Sequence, residues 1–270
     1  MLTLRDDTFR DISALMHETI GLSFTDHKKP LISSRLGPRI LRLGLAGFED
    51  YLALIAGGND DGEFQVAVNL LTTNETYFFR EPAHFDLLEQ ELTRDKPLHL
   101  SVWSAAASFG DEAYSIAMLL SDLQMQGRIG SPWSILGTDI SDRVLHSAIE
   151  AIYPEERLRL VTPERLRRYC LRGEGDSEGL VQIQSKLRER VKFGQLNLSQ
   201  PIENLGPFDV IFLRNVLIYF DPPTKRAVVD RVLTQLRPGG LFFIGTAEGR
   251  IACDTALQTL APGAFRKVAR

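Results

Sequence analysis

Apolar residues in the first third of the chain recur every three to four positions. Phe9, Ile12, Leu15, Met16 and Ile20 form one such stripe, with Asp7 or Thr8 expected to cap its helix. A second stripe through Leu31-Ile32 meets Gly37-Pro38, which predicts a break, and resumes through Ile40-Leu41. Phe48, Tyr51, Leu52 and Ile55 give a third, stopped by Gly57-Gly58, and residues 64–71 give a fourth. None of these runs has the two-residue alternation of a half-buried strand. The pattern predicts a small all-α domain and linker over residues 1–85.

From about Leu98 the pattern changes. Residues 98–103 read as a strand, 111–125 as a helix, 134–139 as a second strand, and 141–150 as a helix capped by Ser141. Residues 191–193, 208–212 and 240–245 predict further strands, with a helix after Pro222-Pro223. This alternation implies a doubly wound α/β domain with a parallel sheet over residues 86–270. Residues of about 153–190 interrupt it with a basic helix (164–169), a glycine-spaced turn (173–179) and the alternating run Leu180-Val181-Gln182-Ile183-Gln184. Such alternation suits an exposed antiparallel strand, so a small β-insertion is expected here.

Composition narrows the class. The chain has 270 residues, 44% hydrophobic and 24% charged, ordinary values for a globular protein of one large or two modest domains. Its apolar runs fall short of the roughly 18 residues that suggest a membrane span. The start, Met1-Leu2-Thr3-Leu4-Arg5-Asp6-Asp7, lacks a signal-peptide pattern, so a cytoplasmic location is expected. Cys170 and Cys253 alone make neither a disulfide framework nor a metal site. A net charge of −4 disfavours nucleic-acid binding. Charge is nevertheless uneven: residues 27–48 hold no acid, while Lys28, Lys29, Arg35, Arg39 and Arg42 all fall there. Such a helix either docks on an acidic surface or is a solvated face balanced by acids elsewhere.

In a doubly wound sheet, ligands bind beyond the carboxyl ends of the strands. The turn after the first strand, residues 104–112, is rich in small residues but holds one glycine, Gly110. The Gly-x-Gly-x-x-Gly pattern is therefore absent, which disfavours a pyrophosphate cofactor. S-adenosylmethionine needs no anion nest, and Glu112 could balance its sulfonium charge; equally, Asp111 and Glu112 suit a helix N-terminus. Asp139, ending the second strand, suits a ribose diol, or caps the next helix. Asn197 could meet an adenine edge or simply turn the chain. Asn215 and Tyr219 follow the fourth strand; their alternatives are a turn residue and a core aromatic.

The segments Thr73-Asn74-Glu75-Thr76-Tyr77-Phe78-Phe79-Arg80, Ser104 to Glu112, Gly137-Thr138-Asp139-Ile140 and Phe212 to Asp221 stand in an order that resembles the CheR family. That family consists of chemotaxis receptor methyltransferases, and the resemblance runs from about Phe9 to the C-terminus. Gly110-Asp111-Glu112 stands where members often carry Gly-Glu-Glu. The resemblance implies a Rossmann-like S-adenosylmethionine-dependent methyltransferase domain. It assigns Asn74, Thr76, Arg80, Glu112, Asp139, Asn197, Leu198, Asn215 and Val216 to the cofactor pocket, and Arg80 and Tyr219 to the reacting centre. It implies methyl transfer to glutamates on the cytoplasmic methylation helices of chemoreceptors, with S-adenosylhomocysteine as product and no metal. The basic helix would dock on those helices, and a receptor's C-terminal peptide could add to the β-insertion. A monomer with neither nucleic-acid partner nor membrane insertion is expected. Two rivals stand beside this: a methyltransferase with another acceptor, and a non-catalytic cofactor sensor or scaffold.

Overall fold

The computed structural model describes residues 2–57, 62–130, 132–249 and 251–268; Gly58, one of the expected stop residues, lies outside them. The first helix, α1 (Asp6–Ile20), buries Phe9, Ile12, Met16 and Ile20. Its N-cap is Arg5, with no side-chain cap, so the expected capping by Asp7 or Thr8 is corrected. The chain turns helical earlier, and Asp6 and Asp7 occupy the first turn, where acids complement the helix dipole. Helix α2 (Lys29–Arg42) runs through Gly37-Pro38 without the expected break. A proline disfavours helix in the residue before it partly through that residue's Cβ, which Gly37 lacks. Ile32, Leu36 and Ile40, all fully buried, hold the helix on both sides of the proline. Helices α3 (Phe48–Ala56) and α4 (Glu63–Leu71) complete a core with Tyr51, Val68 and Leu71.

Helix α5 (Pro82–Asp95), absent from the sequence reading, follows the linker and buries Phe85, Leu88 and Leu92 against the sheet core. The strands are β1 (Leu100–Ser104), β2 (Trp133–Asp139), β3 (Ile152–Pro154), β4 (Cys170–Arg172), β5 (Leu180–Ile183), β6 (Val191–Gln195), β7 (Phe208–Leu213), β8 (Leu236–Ile244), β9 (Leu257–Ala261) and β10 (Ala264–Lys267). The large sheet has the order β6-β2-β1-β7-β8-β10-β9. Its first five members are parallel, and the β9–β10 hairpin, also not anticipated, runs antiparallel along β8. Helices α6 (Asp111–Met125) and α7 (Asp142–Glu150) follow β1 and β2; α10 (Pro222–Thr234), capped by Asp221, follows β7. Along β7, Val210 and Phe212 pack in one core with α6, while Ile211 and Leu213 pack in another with α10. Both faces are therefore covered, as a parallel sheet requires.

The insertion forms its own antiparallel sheet, β3-β5-β4, with helices α8 (Pro163–Tyr169) and α9 (Ser185–Arg188). Chain order reverses between β1 and β7, with Ser104 level with both Gly137 and Phe212. A ligand crevice is expected at this switch point.

Candidate active site

The cleft at the switch point is walled by the linker between the helical bundle and α5. This segment is irregular because two of its aromatic residues face inward. Phe78 is fully buried, edge-on to Tyr153 at 5.0 Å, and Phe79 packs on Phe85 at 4.9 Å. The Phe78 N–H donates to the Arg157 carbonyl (3.1 Å), and the Phe79 N–H to Ser115 Oγ (2.9 Å). These bonds hold Phe79 and Glu81 at φ of 54° and 58°, a left-handed conformation uncommon outside glycine. Arg80 lies between the two strained residues, its side chain donating to the Glu75 carbonyl at 2.8 Å. Strain concentrates where surrounding packing over-determines the backbone, commonly at ligand clamps.

The loop after β1 forms the opposite wall. Its N–H groups are used within the protein: Ala105 to the Phe212 carbonyl (2.8 Å), Ala107 to the Thr138 carbonyl (2.8 Å), and Ser108 to Asp139 Oδ2 (2.9 Å). Few donors of this loop are left to cradle a phosphate. Gly110 opens α6 at φ 88°, and a Cβ there would stand 3.0–3.1 Å from Ala148, Phe193 and the Tyr153 hydroxyl. Gly110→Ala is therefore expected to destabilise the fold by about 1–2 kcal/mol from conformation alone, and to loosen the loop. Thermal melts and donor titration check this; an unshifted melting point would contradict it.

Acidic side chains dominate the polar chemistry. Arg214, ending β7, is almost fully buried and bridges two carboxylates, with Nη1 at 3.0 Å from Glu112 Oε2 and Nη2 at 3.4 Å from Glu81 Oε2. It also donates to the Arg80 carbonyl at 2.5 Å, coupling the linker to the sheet. Ser104 Oγ donates to the other oxygen of Glu112 at 2.7 Å. Burial raises the Glu112 pKa against the pull of Arg214. Burial also works against the Glu81 charge, but Arg214, the Asn215 amide and the Thr246 N–H hold that carboxyl below its usual range. Two carboxylates sharing one guanidinium leave an excess negative charge. Asp139 adds to it; burial raises its pKa, countered by the N–H groups of Ser141 and Ser108. Asn215 takes φ 60°, tolerated best by Asn and Asp, and donates to Glu81 at 3.2 Å. The Tyr219 hydroxyl lies 3.4 Å from the Thr73 carbonyl, and burial raises its pKa while Thr73, Arg80 and Arg35 oppose the rise.

All ten sequence-derived pocket residues line this one cleft: Asn74, Thr76, Arg80, Glu112, Asp139, Asn197, Leu198, Asn215, Val216 and Tyr219. Asn197 lines the cleft and also makes bonds within the protein. Its amide donates to the Thr19 carbonyl (2.8 Å) and accepts from Ser199 N (2.9 Å), tying α1 to the sheet. Asp139 lines the cleft and accepts from Ser141 N at 3.0 Å, while the cap of α7, the alternative reading of Asp139, is Ser141. The sequence reading missed Glu81 and Arg214; an arginine at the end of an apolar strand was the available signal.

The basic set divides. Lys29 pairs with Asp6 (2.5 Å), and Arg39 forks onto Glu63 (2.9 and 2.5 Å). Arg35 braces the linker through the carbonyls of Leu71 and Thr72 and the Thr73 hydroxyl at 2.9–3.0 Å. Lys28 and Arg42 form no ion pair among the described residues, which also hold no metal-binding cluster and no helix able to cross a membrane.

These features fit a cofactor that is cationic, carries no phosphate, and presents a ribose. Comparison with known proteins agrees. Residues 74–260 match the family model described as CheR methyltransferase, SAM binding domain, and residues 7–72 match CheR methyltransferase, all-alpha domain. The chain is 43% identical to the chemotaxis protein methyltransferase of Escherichia coli, over 92% of this chain and 86% of that one. It is 40% identical to chemotaxis protein methyltransferase 2 of Pseudomonas aeruginosa (95% and 91% covered) and 30% identical to the Borreliella burgdorferi chemotaxis protein methyltransferase (98% and 96%).

Proposed function

Because this chain belongs to the CheR family of S-adenosylmethionine-dependent methyltransferases, we infer that it esterifies glutamate side chains on the cytoplasmic methylation helices of chemoreceptors. The observation that carries this reading is the single cleft where linker residues Asn74, Thr76 and Arg80 meet Glu112, Asp139 and Asn215. The bound donor supplies an electrophilic methyl group on a sulfonium centre. Glu112, held by Arg214, would receive the positive end of the methionine part, and Asp139 would receive the ribose hydroxyls. The adenine edge would fall to Asn197 and Leu198, since one amide N–H of Asn197 is used on the Thr19 carbonyl and the amide carries a second. Val216 packs beside the methionine part.

A glutamate carboxylate has an unperturbed pKa near 4.3 and is ionised at neutral pH, so its attack needs no general base. Arg80 would grip one carboxylate oxygen and leave the other for the methyl carbon, and the Tyr219 hydroxyl, in the same cleft, would help to orient the reacting group. Alignment of this kind is worth up to about 7–11 kcal/mol in model reactions. The exposed part of the α2 face, Lys28 and Arg42 foremost, receives acidic receptor helices. Strand β4, at one edge of the insertion sheet, suits a receptor's C-terminal peptide by strand addition. A cytoplasmic monomer that needs no metal completes the reading.

The test is turnover with a receptor fragment, with mass spectrometry to locate the methyl group. Methylated glutamates and a KM that rises with salt are expected. Methyl on another residue type would overturn the acceptor, and donor binding without turnover on any receptor would favour the scaffold reading.

A further inference from the structure

The insertion presents a cation to the active-site linker that the assigned residues do not include. Its arginines are mostly engaged. Arg157 pairs with Asp111 at 3.3 Å, Arg165 and Arg168 with Asp122 at 2.7 and 2.8 Å, and Arg172 with Glu155 at 3.0 Å. Arg159 differs: it is exposed, and no carboxylate pairs with it among the described residues. Its guanidinium instead lies 4.0 Å from the ring centroid of Tyr77, a residue of the cleft wall. Arg80 approaches the same ring at 5.9 Å. One aromatic ring thus carries two guanidinium groups, neither of which forms an ion pair among the described residues. The ring attracts each cation, while the two like charges together favour anionic groups brought near them.

The backbone holds Arg159 in place. Leu158 and Val161 on either side are buried, and the Arg157 carbonyl accepts the Phe78 N–H at 3.1 Å. The turn of the insertion and the linker are thus joined by a backbone hydrogen bond.

We propose that Arg159 is a specificity residue that reads a second carboxylate on the substrate helix while Arg80 holds the one to be methylated; this rests on the receptor-glutamate reading above. The geometry suits a helix. Lying 4.0 and 5.9 Å from one centroid, the two guanidinium carbons are at most about 10 Å apart. A helix rises about 5.4 Å per turn, so carboxylates one or two turns apart on the same face can reach both cations. The recognition element is thus a pair of acidic residues at helical spacing.

The experiment uses the full chain and a receptor fragment. Arg159→Ala is expected to raise KM for the fragment about tenfold, with kcat and donor affinity by calorimetry nearly unchanged; Arg159→Lys should recover much of the loss. Fragments in which each acid within two turns of the methylated glutamate is changed singly to glutamine should contain one that raises KM for the wild type but not for Arg159→Ala. An unchanged KM in a folded Arg159→Ala enzyme overturns the proposal while wild-type turnover leaves the receptor reading standing. A loss of donor affinity equal to the loss of activity would make Arg159 a structural brace for Tyr77 and overturn it too. Failure of wild-type turnover would instead strike the underlying reading.

Discussion

Replacing Arg80 with alanine is expected to lower kcat for receptor methylation by about 10²–10³-fold, with donor affinity changed only a few-fold. The size follows from losing one fixed charged donor at a reacting centre, about 3–4 kcal/mol in comparable sites. The asymmetry follows from the structure. The Arg80 carbonyl, which anchors the linker to Arg214, survives the substitution, and so do the buried rings of Phe78 and Phe79. The cleft should keep its shape while losing its grip on the carboxylate. Arg80→Lys should recover only part of the loss, because an ammonium lacks the planar fork that matches a carboxylate. Single-turnover rates beside donor titration make the check. Near-normal rates in a folded Arg80→Ala enzyme would remove it from the reacting centre.

Arg214→Met should have the largest effect on folding. Its guanidinium is buried and holds Glu112, Glu81 and the Arg80 carbonyl together. Removing one member of a buried ionic group strands the others, at a cost of about 3–5 kcal/mol. For a chain of this size that lowers the melting temperature by roughly 10 °C. Adding Glu112→Gln should recover part of it, since one of the two stranded carboxylates is then gone, and this non-additivity separates ionic coupling from lost packing. Donor binding should weaken in the single variant because the linker loses its tie to β7. A melting point within about 2 °C of wild type would contradict the assigned network.

Where burial writes a periodic pattern, the sequence was readable. The bounds of α6 were legible because its apolar stripe starts just after Gly110, whose φ of 88° stops the loop from continuing as helix. Helix α2 departs from the expected break because Gly37 removes one of the clashes that a proline brings, that with the preceding Cβ, and burial of Ile32, Leu36 and Ile40 outweighs the rest. The stripe Phe85, Leu88, Leu92 behind Pro82 was present in the sequence and marks α5; it lay between two stronger patterns. Strands β9 and β10 are only partly buried, so their alternation is weak. The cleft was legible through local wording, the linker run above all. Glu81 and Arg214 lie far apart in sequence and read singly as ordinary charges, and only the crossover at β1 and β7 brings them together. The basic stretch of α2 shows the converse. Counting charges suggested one docking face, but Arg39 and Lys29 are paired within the protein and Arg35 braces the linker.

The most direct test of the account follows labelled methyl from S-adenosylmethionine onto membranes carrying chemoreceptors, with subsequent exposure to mild base. The account predicts label on receptor bands that leaves in base as methanol, as a glutamyl ester requires, and initial labelling slowed about 10²–10³-fold with Arg80→Ala. Label that withstands base, or no transfer to any receptor while the donor still binds, would contradict it.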